Sequence, residues 1–211
     1  MPAASFDRSE ALLVVDLQRD FLPGGALAVE GGDQILRPVA ALADRFSTVV
    51  ATQDFHPRGH VSFASAHPGA RPFQTIIIQP GEREQVLWPD HCIAGSGGAA
   101  LAREVPDAAL SLILRKGTRH DVDSYSAFRE DADETGTRRS TGLGAWLRAR
   151  GVSSLYVAGL ARDFCVRASA VDAAGEGFRV VVFDHLTRAV WPARCEETDR
   201  AFALAGVRVE G

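Results

Sequence analysis

The chain has 211 residues, of which 46% are hydrophobic and 24% charged, enough for one well-cored domain or at most two small ones. A formal net charge of −4 offers no basic field to a phosphate backbone, which excludes nucleic acid as the expected partner. No apolar run reaches the ~18 residues of a membrane span, and the opening MPAASFDRSE has neither a basic start nor a long apolar stretch, so no membrane anchoring or secretory signal is read and a cytoplasmic protein is expected.

Short aliphatic runs then alternate with helical patterns along the chain. ALLVVD (11–16) reads as the first strand. GDQILRPVAALADRF (32–46) reads as a helix, with Asp33 as candidate N-cap and Ile35, Val39, Leu42 and Phe46 on one stripe. STVVATQ (47–53) is the second strand. The pattern then breaks over residues 54–109, where Pro57, Pro68, Pro72, Pro80, Pro89 and Pro106 and many glycines spell a long loop, and long loops inside a compact domain are usually functional. LSLILR (110–115) resumes as a strand, followed by a helix over STGLGAWLRARG (140–151) that starts on hydroxyl caps and ends at Gly151. The strand SSLYVAGL (153–160), the helix RDFCVRASAVDAAGEG (162–177), the strand FRVVVFD (178–184), the helix WPARCEETDRAFALAG (191–206) and a weak last strand GVRVE (206–210) complete the series. Runs that are apolar throughout belong to strands covered on both faces. The repeated alternation predicts an α/β fold of three layers, α/β/α, around a mainly parallel, Rossmann-like sheet of about six strands. The whole chain, 1–211, reads as one domain with the proline-rich segment as an insertion.

In open parallel sheets a ligand site lies beyond the carboxyl ends of the strands. The residues found there form an unusual set. The first strand ends in Asp16, the second runs into Asp54 and His56, the third into Lys116, and the fourth leads through Gly159 to Cys165. Lys116 is the only lysine, against 22 arginines, as though this position needed a compact ammonium that a guanidinium cannot replace. Cys165 falls near the start of a helix, where free N–H groups and the helix dipole favour a thiolate, so a lowered pKa is expected of it. Cys92 and Cys195 read as packing residues, and three scattered cysteines suit a reducing compartment. Asp54-Phe55-His56, on an extended strand exit, directs two side chains to one side. His91 arrives in WPDHC (88–92). Two imidazoles and a carboxylate suit zinc, iron or manganese and leave positions open for water or substrate. His60, His67 and Ser62 are further candidate ligands, although His60, His67, His120 and His185 each read first as surface or packing residues. GSGG (95–98) follows no strand and carries no lysine, and so reads as a turn and not a phosphate loop.

Five blocks carry a family resemblance: DLQRDFLPGGAL (16–27), TQDFHPRGHVSFAS (52–65), WPDHC (88–92), RKGTRHDVDSYSAF (115–128) and GLARDFCVRASA (159–170). In this order, over nearly the whole chain, they resemble the nicotinamidase branch of the isochorismatase-like cysteine hydrolases. The resemblance implies a catalytic triad of Asp16, Lys116 and Cys165, one divalent metal ion, zinc foremost, on Asp54, His56 and His91, and a cis peptide at Leu160-Ala161 that aims the Ala161 and Cys165 amides into an oxyanion hole. It implies hydrolysis of nicotinamide to nicotinate and ammonia through a thioester, with the pyridine nitrogen on the metal, activity on pyrazinamide, and a place in NAD salvage. Phe21, Trp88, Tyr125 and Leu160 are the expected pocket residues. Arg19 stands where the family usually has asparagine, and IAGSGG follows Cys92 in place of the more usual VQGT-like run; neither touches a triad or metal position. Oligomeric state is open, a homo-oligomer included.

Two rival readings predict different chemistry. A ureidoacrylate or N-carbamoyl amide hydrolase of the same superfamily would keep the triad without using a pyridine-binding metal. A non-haem iron oxygenase would use the two-histidine, one-carboxylate set and require oxygen, although a parallel α/β pattern argues against the barrel usual for that chemistry.

Overall fold

The computed structural model describes residues 5–79 and 82–211. Residues 1–4, in the segment read for a signal, and Pro80 lie outside them. Six strands form one parallel sheet: β1 (Glu10–Val15), β2 (Val49–Asp54), β5 (Leu112–Lys116), β6 (Ser154–Leu160), β7 (Arg179–Arg188) and β8 (Arg208–Glu210), in the spatial order β5-β2-β1-β6-β7-β8. The chain builds outward from β1 to one edge, then returns to β6 on the other side of β1 and builds to the opposite edge. With right-handed crossovers this reversal covers both faces of the sheet. The central strands accordingly bury nearly every residue, Ala11 to Val15 among them.

Helices α1 (Leu36–Ala43), α2 (Leu143–Ala149), α3 (Arg167–Gly175) and α4 (Cys195–Ala205) flank the sheet. The first is shorter than the 32–46 pattern. Pro38 has no N–H to return to residue 34, so Gly32–Ile35 tightens into a 3-10 turn and the α-helix starts where proline falls in its first turn. Asp33 makes no capping bond. The stripe itself is correct: Ile35, Val39, Leu42 and Phe46 are all buried. Before α2 the hydroxyls act one residue early, Ser140 Oγ accepting from the Gly142 N–H and Thr141 Oγ1 from Leu143.

The proline-rich segment is not structureless. It contains an antiparallel hairpin, β3 (Thr75–Ile78) paired with β4 (Arg83–Val86), which the β-branched TIII run encodes and the surrounding prolines obscure. β7 continues four residues past its expected end at 184, carrying the chain toward Val190. Among the described residues no helix is long and apolar enough to cross a membrane.

Candidate active site

The reversal of strand order falls between β1 and β6, and the residues leaving those two strands meet there. Gly159 makes the approach close: with φ +122°, a Cβ on it would stand 2.1 Å from the Val15 carbonyl oxygen. Asp16 follows β1 with φ +45° and is fully buried. Thr52 of β2 fixes it from two sides, donating to Asp16 Oδ1 at 2.6 Å and accepting the Asp16 N–H at 3.1 Å. Lys116, the last residue of β5, brings Nζ to 2.9 Å from Asp16 Oδ2 and donates to Cys165 Sγ at 3.2 Å and to the Ser124 carbonyl at 3.1 Å. Its fourth neighbour is Asp54 Oδ1. Cys165 Sγ lies within 4.8 Å of a carboxylate oxygen of Asp16. Asp16, Lys116 and Cys165 thus share one buried space, each from a different strand exit.

The electrostatics differ from the sequence expectation for the thiol. Burial pushes the Cys165 thiol well above its ordinary value; Lys116 opposes this, and the Asp16 and Asp54 charges add to it. α3 begins at Arg167, and Cys165 sits before it on a π-type turn over Arg162–Val166, so the sulfur is not in the first turn of an α-helix. Burial also raises the Asp16 carboxyl, against Lys116 and with the Asp54 charge. Burial thus shifts both groups the same way, toward their protonated forms, with Lys116 opposing it at each. The Leu160-Ala161 peptide is cis, as the resemblance implied.

Asp54 joins this cluster to a second one. Its Oδ2 lies 3.7 Å from His56 Nε2 and 4.0 Å from His91 Nε2. His56 Nδ1 is 2.9 Å from the Gly117 carbonyl and His91 Nδ1 2.8 Å from the Pro89 carbonyl. A carbonyl only accepts, so each Nδ1 carries a proton and each Nε2 faces Asp54; against burial, the Asp54 carboxylate raises the His56 imidazole. Burial holds His91 down at about 4, with the His56 charge adding and Asp54 opposing, which keeps that lone pair available. Two nitrogens and one oxygen, converging with the second carboxylate oxygen tied to Lys116, fit a first-row divalent metal. His60 and Ser62 are fully buried nearby but bonded to each other, His60 Nδ1 to Ser62 Oγ at 2.7 Å, while His60 Nε2 faces the Val122 carbonyl at 3.2 Å. Neither His60 nitrogen is left for a metal. Gly117 is required beneath His56: its φ is +60°, and a Cβ there would stand 2.3 Å from His56 Cε1.

A pocket opens onto Cys165, Ala161, Asp54 and His91. Phe21, Trp88 and Tyr125 are among its walls, and Trp88 Nε1 donates to the Tyr125 hydroxyl at 3.0 Å. Leu160 does not line it. That side chain is wholly buried and turns toward Gly32, because the last residue of a fully covered strand packs into the core. Leu27, Phe164 and Val190 complete the wall and were not anticipated. Phe164 adjoins the cysteine and its apolar character was visible, but Val190 depended on the unforeseen extension of β7. Asp20 was missed too: its Oδ2 accepts the Cys92 N–H at 2.6 Å, tying the Phe21 loop to the His91 loop, and Gly98 leaves room for that carboxylate. Cys92 is buried in the core beside His91 and its thiol is pushed far up by burial, while Cys195 is half-buried at the start of α4.

The isochorismatase domain model matches residues 10–199. A nicotinamidase from Acinetobacter baylyi is 46% identical over 182 residues, covering 85% of this chain and 81% of that protein. Among solved structures, a nicotinamidase/pyrazinamidase from Acinetobacter baumanii superposes with a TM-score of 0.89 at 41% identity, covering 96% of each chain. The pyrazinamidase of Pyrococcus horikoshii, solved in complex with zinc, gives 0.75 at 32% identity, covering 96% of this chain and 98% of that one. With the parallel sheet, the match across most of its length and these relatives, the chain belongs to the isochorismatase family.

Proposed function

We propose that this protein is a nicotinamidase, hydrolysing nicotinamide to nicotinate and ammonia in NAD salvage and accepting pyrazinamide as well, with all of residues 1–211 serving as one hydrolase domain. One observation carries the reading: the buried Asp16–Lys116–Cys165 group opens into an aromatic-walled pocket that also presents the Asp54–His56–His91 donor set. The relatives of known name support it.

Asp54, His56 and His91 would hold one divalent metal, for which zinc is favoured by the donor set and by the zinc complex of the Pyrococcus horikoshii relative. When bound, the metal supplies a Lewis acid able to fix the pyridine nitrogen. Phe21, Trp88 and Tyr125 confine the ring. Asp16 takes the Cys165 proton as sulfur attacks the carboxamide carbon, and the Ala161 and Cys165 N–H groups receive the charge that develops on the carbonyl oxygen. The C–N bond then breaks as Asp16 returns that proton to the departing ammonia, leaving a thioester. Water, deprotonated by Asp16, adds to the thioester; the C–S bond breaks, nicotinate leaves and the sulfur recovers its proton from Asp16. Lys116 remains charged throughout, holding Asp16 in place and offsetting negative charge near the sulfur. Unpaired cysteines fit the cytoplasmic setting of such an enzyme.

The test is ammonia release from nicotinamide with metal analysis on the same preparation. Nicotinate and ammonia should appear in equal amounts from protein carrying one metal ion per chain. Release from an N-carbamoyl compound and none from nicotinamide would place the chain with the carbamoyl hydrolases instead.

A further inference from the structure

Asp163 stands two residues before the nucleophile, is fully buried, and takes no part in the chemistry above. Its two oxygens are spent on backbone: Oδ1 accepts the Val190 N–H and Oδ2 the Trp191 N–H, each at 2.9 Å. Both donors lie on the loop that follows β7. Val190 lines the substrate pocket. The Trp191 ring stacks on Trp88 with centroids 5.6 Å apart and meets Phe164 edge-on at 5.1 Å. Phe164 sits between Asp163 and Cys165 on the same turn, and lines the same pocket. A closed ring of contacts results: from the nucleophile turn through Asp163 to Val190 and Trp191, and back through Trp88 and Phe164.

The turn has a separate anchor on its other side. Arg162 donates through Nε to Asp184 of β7 and through Nη2 to Asp199 of α4, each at 2.7 Å. Arg162 therefore ties the turn to β7 and α4 independently of Asp163. The bonds of Asp163, by contrast, join the turn bearing the thiol to the Val190 wall of the pocket.

We propose that Asp163 is a positioning residue that determines specificity: it locks Val190 and Trp191 to the turn bearing Cys165, so that ring-binding wall and nucleophile move as one body and only a ring of the right outline brings its carboxamide to the sulfur. The proposal rests on the nicotinamidase reading of this pocket. The experiment compares wild type, Asp163→Asn, Trp191→Ala and the double variant. Asparagine keeps one acceptor oxygen and turns an amide nitrogen toward the other N–H. Substrates are nicotinamide and a set of nicotinamides carrying a methyl on each free ring carbon in turn, with Cys165 alkylation by iodoacetamide as a second readout.

Asp163→Asn should raise KM for nicotinamide about tenfold and lessen the discrimination against the most rejected methyl isomer by a similar factor, the scale on which a pocket senses one methyl group. Cys165 alkylation should stay within about twofold of wild type, because Arg162 still holds the turn. Trp191→Ala should reproduce the loss of discrimination, and adding Asp163→Asn to it should change the ratio by less than about twofold, as expected of residues acting as a unit. An Asp163→Asn enzyme with unchanged discrimination, or one that loses kcat and discrimination is retained, overturns the proposal. If Asp163→Asn does not fold, Trp191→Ala with wild-type discrimination overturns it equally. Failure of the wild type to deamidate nicotinamide strikes the functional reading itself and is seen before any variant is compared.

Discussion

Lys116 Nζ lies among two carboxylates, a sulfur and a carbonyl, all within 3.2 Å and all buried. An ammonium can aim its three N–H donors at Asp54, Ser124 and Cys165 while its charge faces Asp16; a planar guanidinium cannot, and it is longer. Lys116→Arg is therefore expected to lower kcat by about a thousandfold or more, the usual scale for removing a member of a catalytic unit. Near-wild-type turnover in that variant would return the lone lysine to chance. The same cluster sets the pH response. Burial and the Asp54 charge hold the Asp16 carboxyl above its ordinary value despite Lys116, and only the ionised form accepts the thiol proton. The acid limb of kcat/KM should consequently lie above the ~3.9 of an unperturbed aspartate, and a profile still flat at pH 4 would remove Asp16 from the role of base. What the sequence made legible at this scale was identity: an only lysine, a D-x-H pair, a cysteine after a strand. It did not make legible that Asp54 faces Lys116 with one oxygen and the histidines with the other, because a side chain's two ends leave no separate mark in spacing. Nor did it reveal the direction of the Cys165 shift, since burial depends on everything packed around the sulfur.

The elements divide in the same way. Parallel strands were readable because burial on both faces demands unbroken apolar runs, whereas the β3–β4 hairpin, the π-type turn and the extension of β7 are decided by partners distant in sequence. The exit of β5 is the most exacting of the local structures. Gly117 follows Lys116 directly, adopts φ +60° and supplies the carbonyl that orients His56. Gly117→Ala adds a methyl into the imidazole ring and a left-handed strain of about 1–3 kcal/mol. Its expected outcome is a lower Tm, metal content well below one ion per chain and a matching loss of activity; full metal occupancy would mean that His56 tolerates a new position. His91→Ala should lose metal with far less cost in Tm, since the loop bearing it keeps the Asp20–Cys92 bond.

At the scale of the whole molecule, the Asp131 charge works against folding. Burial, with the Asp123 charge and against Arg138, pushes the Asp131 carboxyl up to about 7. Between its unfolded value near 3.9 and 7, the native state holds a proton that the unfolded chain has released, so stability falls as pH rises through that window. Asp131→Asn removes the penalty. Thermal melts should place the variant several degrees above wild type at pH 8 and level with it at pH 4, and an identical gap at both pH values would assign the effect to packing.

The pairing of β1 with β6, from Glu10 opposite Ser154 to Val15 opposite Gly159, also orders events in time. All three proposed metal donors are synthesised within the first 91 residues, and Asp16 with them, while the strand that leads to the proposed nucleophile is translated much later and must then insert beside the first. A nascent chain on the ribosome thus carries its donors long before it has a thiol to use, and the hydrolytic function arrives only when the two halves of the sheet close on each other.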